Sequence, residues 1–296
     1  MVPERLQVGG QAVIEGVMIK SPGLVATSVR KGTGEIVSRV EAYVSLSKRF
    51  RIFGFPIIRG VVNLIEQLYL GIKSLSFSAD VASEEKGQAK KSSEAKKNLA
   101  MGATLILAVI VAFALFFYLP LVVASATGVR GSVGFNIVDG LVRLGIFFVY
   151  LAVVGLWKEM RRVFEYHGAE HKSIHAYESG DSLDVEAVKK YTTRHARCGT
   201  SFLLVVMLVS LIVFIFMGRP HSISERLVRL AAVPIIAGIS YEIIRIAGKN
   251  QKSRLAKILS APGLLLQAFT TREPSEDQIE VALDALKKAL GEEVGC

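Results

Sequence analysis

The sequence LAMGATLILAVIVAFALFFYLPLVVAS, residues Leu99–Ser125, decides the class of fold. It contains no Asp, Glu, Lys or Arg and consists mainly of Leu, Val, Ala and Phe. An α-helix crosses the hydrocarbon core of a bilayer with about 20 predominantly apolar residues. The segment therefore predicts a transmembrane helix.

Three further segments have the length and apolar character of membrane spans, namely Gly134–Trp157, Gly199–Met217 and Leu227–Ala247. The whole chain has 296 residues, of which 51% are hydrophobic, and a mean hydropathy of +0.43. These values are too apolar for an ordinary soluble protein of this size. We predict an α-helical polytopic membrane protein with about four transmembrane helices. Asp139 and Arg143 lie four residues apart in the second span, where we expect a local ion pair, and a functional role is the alternative.

The basic balance of the chain indicates membrane topology rather than nucleic-acid binding. The formal net charge is +10, and in a membrane protein such an excess reports orientation and contact with anionic lipid head groups. The two cysteines, Cys198 and Cys296, do not suggest a disulfide framework. Residues 1–10 lack the apolar core of a secretory signal peptide. Protein partners and oligomeric state stay open.

Basic residues are distributed unevenly among the connections between the predicted spans. The connection 126–133 contains one basic residue, Arg130, and the connection 218–226 contains two arginines. The connection 158–198 contains eight Lys and Arg residues, and both terminal regions are also basic. The positive-inside rule therefore predicts a multi-pass membrane protein with four spans and both termini in the cytoplasm. It also places the connection 158–198 and the tail 248–296 on that same side.

The region 1–50 predicts a small cytosolic β-rich module. Its β-prone runs and the glycine-containing turn that joins them are Leu24–Val29, Ile36–Val44 and Lys31–Glu35. We interpret Gly9 and Gly10 as turn residues, and a close backbone approach to a phosphate is the alternative.

The remaining flanking regions are a helix, a linker and a tail. Region 51–80 is apolar with one polar stripe, which favours an interfacial helix over a membrane-crossing one; the stripe consists of Arg59, Asn63, Glu66 and Lys73. Region 81–98 is rich in Lys and predicts a flexible linker or a helical arm on anionic lipid. The membrane domain is 99–247. The tail 248–296 contains a short apolar segment that we expect to dock at the membrane surface, and then an amphipathic helix that begins at a capping box, Ser275–Gln278.

The candidate functional stretch is EYHGAEHKSIHAYE, residues Glu165–Glu178. His167, His171 and His175 are spaced by four residues, so in a helix they share one face. Imidazoles at this spacing can hold one divalent metal between them. The first five residues from His167 also spell H-x-x-E-H, the inverted zinc-protease signature, in which Glu170 would be the general base. The alternative is a polar helix end whose imidazoles are solvated or hydrogen-bonded.

Further candidate ligands lie elsewhere in the chain. His195 and Cys198 are three residues apart, just before the third span, and Glu242 lies near the cytoplasmic end of the fourth. His167 and His171 could bind zinc together with Cys198, His195 or Glu242. The alternatives are a small residue at a helix start for Cys198 and an ion pair with Arg245 for Glu242.

Five separated motifs resemble the YqhQ-like family of bacterial membrane proteins over nearly the whole chain. They are Gly9–Met18, Arg59-Gly-Val-Val62, Glu165–His171, Arg197–Ser201 and Pro262–Gln267, the last followed by Thr270-Thr-Arg-Glu-Pro274. That family carries the label "predicted metal-dependent enzyme". The resemblance therefore implies the membrane architecture and a metal, and it supplies no substrate and no ligand set.

Two hypotheses follow from these patterns. The first is a metal-dependent hydrolase at the cytoplasmic membrane face, acting on a lipid, a lipid-linked molecule or a membrane peptide. The second is a transport, assembly or scaffold protein with a structural His/Cys metal site. A structural zinc site is closed by four protein ligands, whereas a catalytic site keeps an open position. Convergence of His167, His171, His195 and Cys198 would favour the scaffold, and three ligands beside Glu170 would favour the enzyme.

Overall fold

The computed structural model describes residues 6–85, 94–195, 198–249 and 254–292. The strands are β1 (Gly9–Val13), β2 (Gly16–Lys20), β3 (Leu24–Arg30) and β4 (Ile36–Ala42). The helices are α1 (Leu46–Arg49), α2 (Ile58–Glu85), α3 (Glu94–Phe113), α4 (Leu119–Ala126), α5 (Ser132–Val154), α6 (Lys158–Ser179), α7 (Val185–Val188), α8 (Gly199–Met217), α9 (Ile223–Lys249), α10 (Arg254–Thr270) and α11 (Glu276–Leu290). A 3₁₀ turn, Arg51–Gly54, precedes α2, and a π-helical turn, Ala114–Tyr118, joins α3 to α4.

The N-terminal strands form an antiparallel meander in the order β1-β2-β3-β4. The predicted hairpin is confirmed, since β3 pairs with β4 and Val29 lies opposite Val37. Its turn closes with the Lys31 N–H donating to the Glu35 carbonyl at 2.9 Å. Gly34 adopts φ +92°, a left-handed conformation that glycine accepts without steric cost.

Helices from distant parts of the chain cover both faces of this sheet. Because side chains alternate between the two faces of a strand, Val17, Ile19 and Ala26 contact α6 and α11, whereas Met18 and Val25 pack against α2. The sheet, the histidine-bearing helix and the end of the chain thus share a hydrophobic core. The predicted capping box is present at Ser275 and Gln278, and the predicted apolar face of α11 is buried in this core.

Among the described residues, four helical segments are long and apolar enough to cross a membrane: Leu99–Ala126, Ser132–Val154, Gly199–Met217 and Ile223–Ala247. Their positions match the four predicted spans. Much of their surface is apolar and exposed in the isolated chain, as at Phe216, which is 85% exposed. Asp139 and Arg143 form the expected ion pair on α5 at 2.9 Å, and Arg143 also donates to Ser210 on α8.

Helix α2 lies outside that set and uses its polar stripe for contacts with the rest of the protein. Arg59, Asn63, Glu66 and Lys73 bond to Glu242, Tyr241, Ser45 and Glu41, respectively. The opposite face exposes Leu64, Leu68 and Leu75. An apolar exposed face opposite a satisfied polar one is the pattern of a helix that lies on a membrane surface, and the position of α2 relative to a bilayer stays a prediction.

The other flanking predictions have mixed outcomes. The region 81–98, predicted as a linker or helical arm, is helical where it is described, at 81–85 and 94–98, and residues 86–93 lie outside the described part. The apolar tail segment is mostly helical, because α10 continues through Pro262 to Thr270 and packs on α8. Cys296 also lies outside the described residues.

Candidate metal centre

Helix α6 presents its histidines on one face, as the four-residue spacing predicts. The rings of His167 and His171 have centroids 4.4 Å apart, and His175 follows one turn later. The helix ends at Gly180, whose left-handed φ of +83° terminates the helical hydrogen bonding. The histidines therefore lie on a regular helix that is held by the core between the sheet and α11.

Three of the predicted ligands converge into one group. Donor atoms of His167, His171 and Cys198 all lie within 4.8 Å of one another, and Nε2 of His167 is 3.2 Å from Sγ of Cys198. Cys198 is the N-cap of α8, where its sulfur accepts from the Thr200 N–H. The expected role as a small residue at a helix start and the role as a ligand candidate are thus both present in the same side chain.

Backbone carbonyls orient both imidazoles. Nδ1 of His167 lies 2.7 Å from the carbonyl oxygen of Thr270, and Nδ1 of His171 lies 2.5 Å from that of Thr193. A carbonyl can only accept, so each Nδ1 carries the proton and each Nε2 carries the lone pair. This arrangement of a ligand histidine that donates its other N–H to a carbonyl is the usual outer support of protein metal sites.

The donor atoms fit a divalent metal. Nε2 of His171 is buried and has no hydrogen-bond partner among the described residues, and a buried nitrogen lone pair without a partner is costly. Burial lowers the pKa of His171 well below its usual range, so the ring is neutral and able to coordinate at neutral pH. Burial raises the pKa of the Cys198 thiol to about 11, so binding of a cation there would release its proton. Two neutral imidazoles and a thiol suit zinc.

Glu170 lies beside this group, as the H-x-x-E-H pattern requires. It is 4% exposed, and its Oε2 is 3.5 Å from Nε2 of His171. Burial raises the pKa of its carboxyl group, against the opposing effects of His167 and His195 and of a hydrogen bond from the Gly10 N–H. A raised pKa brings a carboxyl group closer to the range in which a general base is effective.

The interpretation of Gly9 and Gly10 as turn residues is wrong. Both lie in β1, and the chain at Gly10 passes directly over Glu170. A Cβ at Gly10 would lie 2.5 Å from the Met18 carbonyl oxygen and 3.0 Å from Cγ of Glu170. Glycine is needed here because a side chain would collide with the Met18 carbonyl oxygen on β2 and with the buried Glu170 side chain. The alternative, a close backbone approach to a phosphate, stays a prediction.

The polar support of the site comes largely from residues that the sequence analysis did not single out as functional. Gln267 on α10 is fully buried and holds the backbone of His195 from both sides, accepting from its N–H and donating to its carbonyl oxygen at 2.8 Å each. Thr270 supplies the carbonyl to His167, and Lys172 forms an ion pair with Glu273. Two features of the sequence could have indicated these supporting residues: the polar Gln267 inside an apolar segment, and the motif Thr270–Pro274 that follows it.

The two other candidate ligands are not part of this group. His195 is buried, but its Nε2 is 3.3 Å from Oε2 of Glu178, with which it belongs to a separate group. Glu242 belongs to neither group of possible ligands among the described residues, and it forms a bidentate ion pair with Arg59 of α2 and lies 3.8 Å from Arg245. The alternative for Glu242, an ion pair with Arg245, is present as the longer of its two arginine contacts. The prediction that Glu242 completes the ligand set is therefore not supported by the geometry.

Comparison with known proteins places this arrangement in a family. The model of the family described as "Protein of unknown function (DUF1385)" matches residues 55–292. The chain is also similar to "Uncharacterized protein YqhQ" of Bacillus subtilis (strain 168), with 30% identity over 95% of this chain and 92% of that protein. No solved structure matches the chain. The chain belongs to this YqhQ-like family, as its motifs indicated.

Proposed function

We propose that this protein is a zinc-dependent hydrolase of the bacterial inner membrane that acts at the cytoplasmic face. His167, His171 and Cys198 would hold the metal, and Glu170 would be the general base. The observation that carries the proposal is the ligand count: three donor atoms converge, and a buried carboxylate lies beside one of them instead of a fourth donor in the same group. Three protein ligands and an open position are the arrangement of catalytic zinc.

The chain's own residues would perform the proton transfers. When bound, zinc supplies Lewis acidity, which makes water a stronger acid and polarises a carbonyl or phosphoryl oxygen of a substrate. The Glu170 carboxylate takes a proton from the attacking water while the new bond from oxygen to the substrate forms. It then gives that proton to the leaving group while the scissile bond breaks. Gly10 holds the carboxylate in place through its N–H, and the buried surroundings exclude bulk water.

The position of the centre supports a membrane-borne substrate. Cys198 caps α8, so the metal ligands lie at the very end of a helix that is apolar enough to cross a bilayer. The sheet, α6 and α11 pack into one unit, and these are the segments that the positive-inside rule assigns to the cytoplasm. We therefore propose a lipid, a lipid-linked molecule or a membrane peptide as substrate, and contact with anionic lipid head groups through the basic cytoplasmic surface.

The substitution Glu170→Gln tests the enzyme. It retains the shape of the side chain and removes the base, a role typically worth about 10²–10⁴-fold in rate. We expect the variant to fold and to retain bound metal but to fail to complement a deletion strain. Glu159→Gln, an exposed position on the first turn of the same helix, is the matched control and should complement. Full complementation by Glu170→Gln would instead favour a structural metal site in a scaffold protein.

The metal ligands have a separate test. The double variant His167→Ala/His171→Ala should lose the metal at this group, measured by elemental analysis of protein purified in detergent. His221→Ala is the control, because His221 is exposed and lies between α8 and α9, away from α6. Undiminished total metal content in the double variant would refute the ligand assignment.

A further inference from the structure

A second group of possible ligands lies next to the first. Donor atoms of His175, Glu178 and His195 are all within 4.8 Å of one another. The rings of His175 and His195 have centroids 4.6 Å apart, and Nε2 of His195 is 3.3 Å from Oε2 of Glu178. His175 and Glu178 are three residues apart on α6, so they share a face of one helical turn. Two imidazoles and a carboxylate are a common donor set for divalent transition metals.

The backbone supports this group in the same way as the first. The carbonyl oxygen of Arg194 lies 2.8 Å from Nε2 of His175, so Nε2 carries the proton and Nδ1 carries the lone pair. The carbonyl oxygen of the preceding residue, Thr193, accepts a hydrogen bond from Nδ1 of His171 in the same way. Gln267 fixes the backbone of His195 at both its N–H and its carbonyl. The backbone of residues 193–195 therefore orients possible ligands of both groups. Hydrogen bonds of this kind around the ligands are expected of a metal site that the fold holds in place.

The two groups adjoin each other around Glu170. The ring centroid of His195 lies 5.7 Å from that of His171, which belongs to the first group. The Glu170 carboxylate interacts electrostatically with both His167 and His195, one residue from each group. The carboxylate is therefore close enough to both groups to interact with each of them.

We propose that His175, Glu178 and His195 bind a second divalent cation, so that the centre is dinuclear. The role of the second cation in catalysis, which is to help bind and polarise the substrate, rests on the proposed hydrolase function. The binding of that cation does not rest on it. His195 would then bind the second cation, and not the same cation as Cys198, as its spacing to Cys198 suggested.

Metal stoichiometry tests the proposal. The full chain in detergent is stripped with a chelator, reloaded with Co²⁺ and measured for metal equivalents per chain and for the cobalt–thiolate charge-transfer absorption. Cobalt reports on the first group through Cys198. We expect two equivalents in the wild type and one in His175→Ala, with the thiolate absorption retained. The conservative variant Glu178→Gln should weaken the second equivalent by 10-fold or more while the first is unaffected.

The outcomes separate the two proposals. One equivalent in the wild type that is unaffected by His175→Ala overturns the second site and leaves the first intact. A single equivalent that is removed both by Cys198→Ser and by His175→Ala indicates one shared site and overturns the dinuclear centre. If one equivalent of cobalt remains in His167→Ala/Cys198→Ser, and that equivalent is the one that His175→Ala removes, the second site is supported even if the first site binds no metal. Binding of no cobalt by wild-type protein that retains its fold, as judged by circular dichroism, overturns both.

Discussion

The substitution Gly168→Ala should disturb the metal centre without touching a ligand. Gly168 lies on α6 next to His167, and a Cβ there would lie 2.0 Å from the carbonyl oxygen of Arg272. Contacts of a real Cβ are essentially never below 3.0 Å, so the two backbones must separate by at least 1.0 Å, the difference between 3.0 and 2.0 Å. Neither atom belongs to a flexible side chain, so the strain cannot be relieved by a rotamer change.

The separation has two measurable consequences. The segment that must move carries the Arg272 N–H, which donates to the Phe164 carbonyl at 2.9 Å, and the Thr270 carbonyl, which accepts from His167 at 2.7 Å. Overpacking of this kind typically costs about 1–3 kcal/mol of stability. Loss of the outer hydrogen bond to a ligand histidine typically lowers metal affinity about 10–100-fold. We therefore expect a lower unfolding temperature together with weaker zinc binding.

Chelator competition and thermal unfolding in detergent measure the two effects. Gly145→Ala is the matched control, because Gly145 is also within a helix but has nothing within 4 Å of an added Cβ. Alanine there should be neutral or slightly stabilising, since it is the better helix former by about 1 kcal/mol. A Gly168→Ala protein that binds zinc and unfolds like Gly145→Ala would refute the close contact between α6 and the segment after α10.

The remaining predictions concern other parts of the molecule. Asp284→Asn should cost about 1.5–3 kcal/mol at neutral pH, since hydrogen bonds to a charged group are worth about that much. Burial raises the pKa of Asp284, but hydrogen bonds from Ser38, Ser28 and Lys288 outweigh it and lower the pKa below the ordinary value of 3.8. The stabilisation is therefore complete above the ordinary pKa and is lost as the pH falls through the folded-state pKa, so denaturant curves of variant and wild type should converge in acid. Glu242→Gln should weaken the packing of α2 on α9 and lower the unfolding temperature without changing metal content, whereas loss of metal would restore Glu242 to the ligand set. Cysteine labelling in intact cells should reach positions near 130 and 221 but not those near 90, 180 and 285, and external labelling at 180 would contradict the cytoplasmic placement of the centre.

Local pattern was enough to predict several elements of this protein. The four long apolar helices, the β3–β4 hairpin, the capping box of α11 and the shared face of His167 and His171 are all set by residues within about one element length. Periodicity and length determine such features, because each depends on neighbours along the chain and on the solvent that the element faces. His167, His171 and Glu170 of the site were predictable for the same reason, because they lie close together on one helix.

Selection among the candidate ligands was decided by the tertiary structure. Cys198 joins His167 and His171, His195 pairs with Glu178, and Glu242 pairs with Arg59, although the sequence left all three open as the next ligand. These outcomes depend on where the start of α8, the segment before it and the ends of α2 and α9 lie around α6. Helical spacing carries no information on contacts between separate elements.

The sequence by itself determined four helices long and apolar enough to cross a membrane, an N-terminal β module and a histidine face on one helix, because hydrophobic length and periodicity are local properties. Only the tertiary structure decided that the sheet packs between α2 on one side and α6 with α11 on the other. It also decided that Gly10 covers Glu170 and that Gln267 and Thr270 support the histidines. The physical reason is that such contacts join residues far apart in the chain, roughly 70 to 160 positions for those of Gly10, Gln267 and Thr270. Their approach is set by the packing of whole helices and not by neighbouring residues.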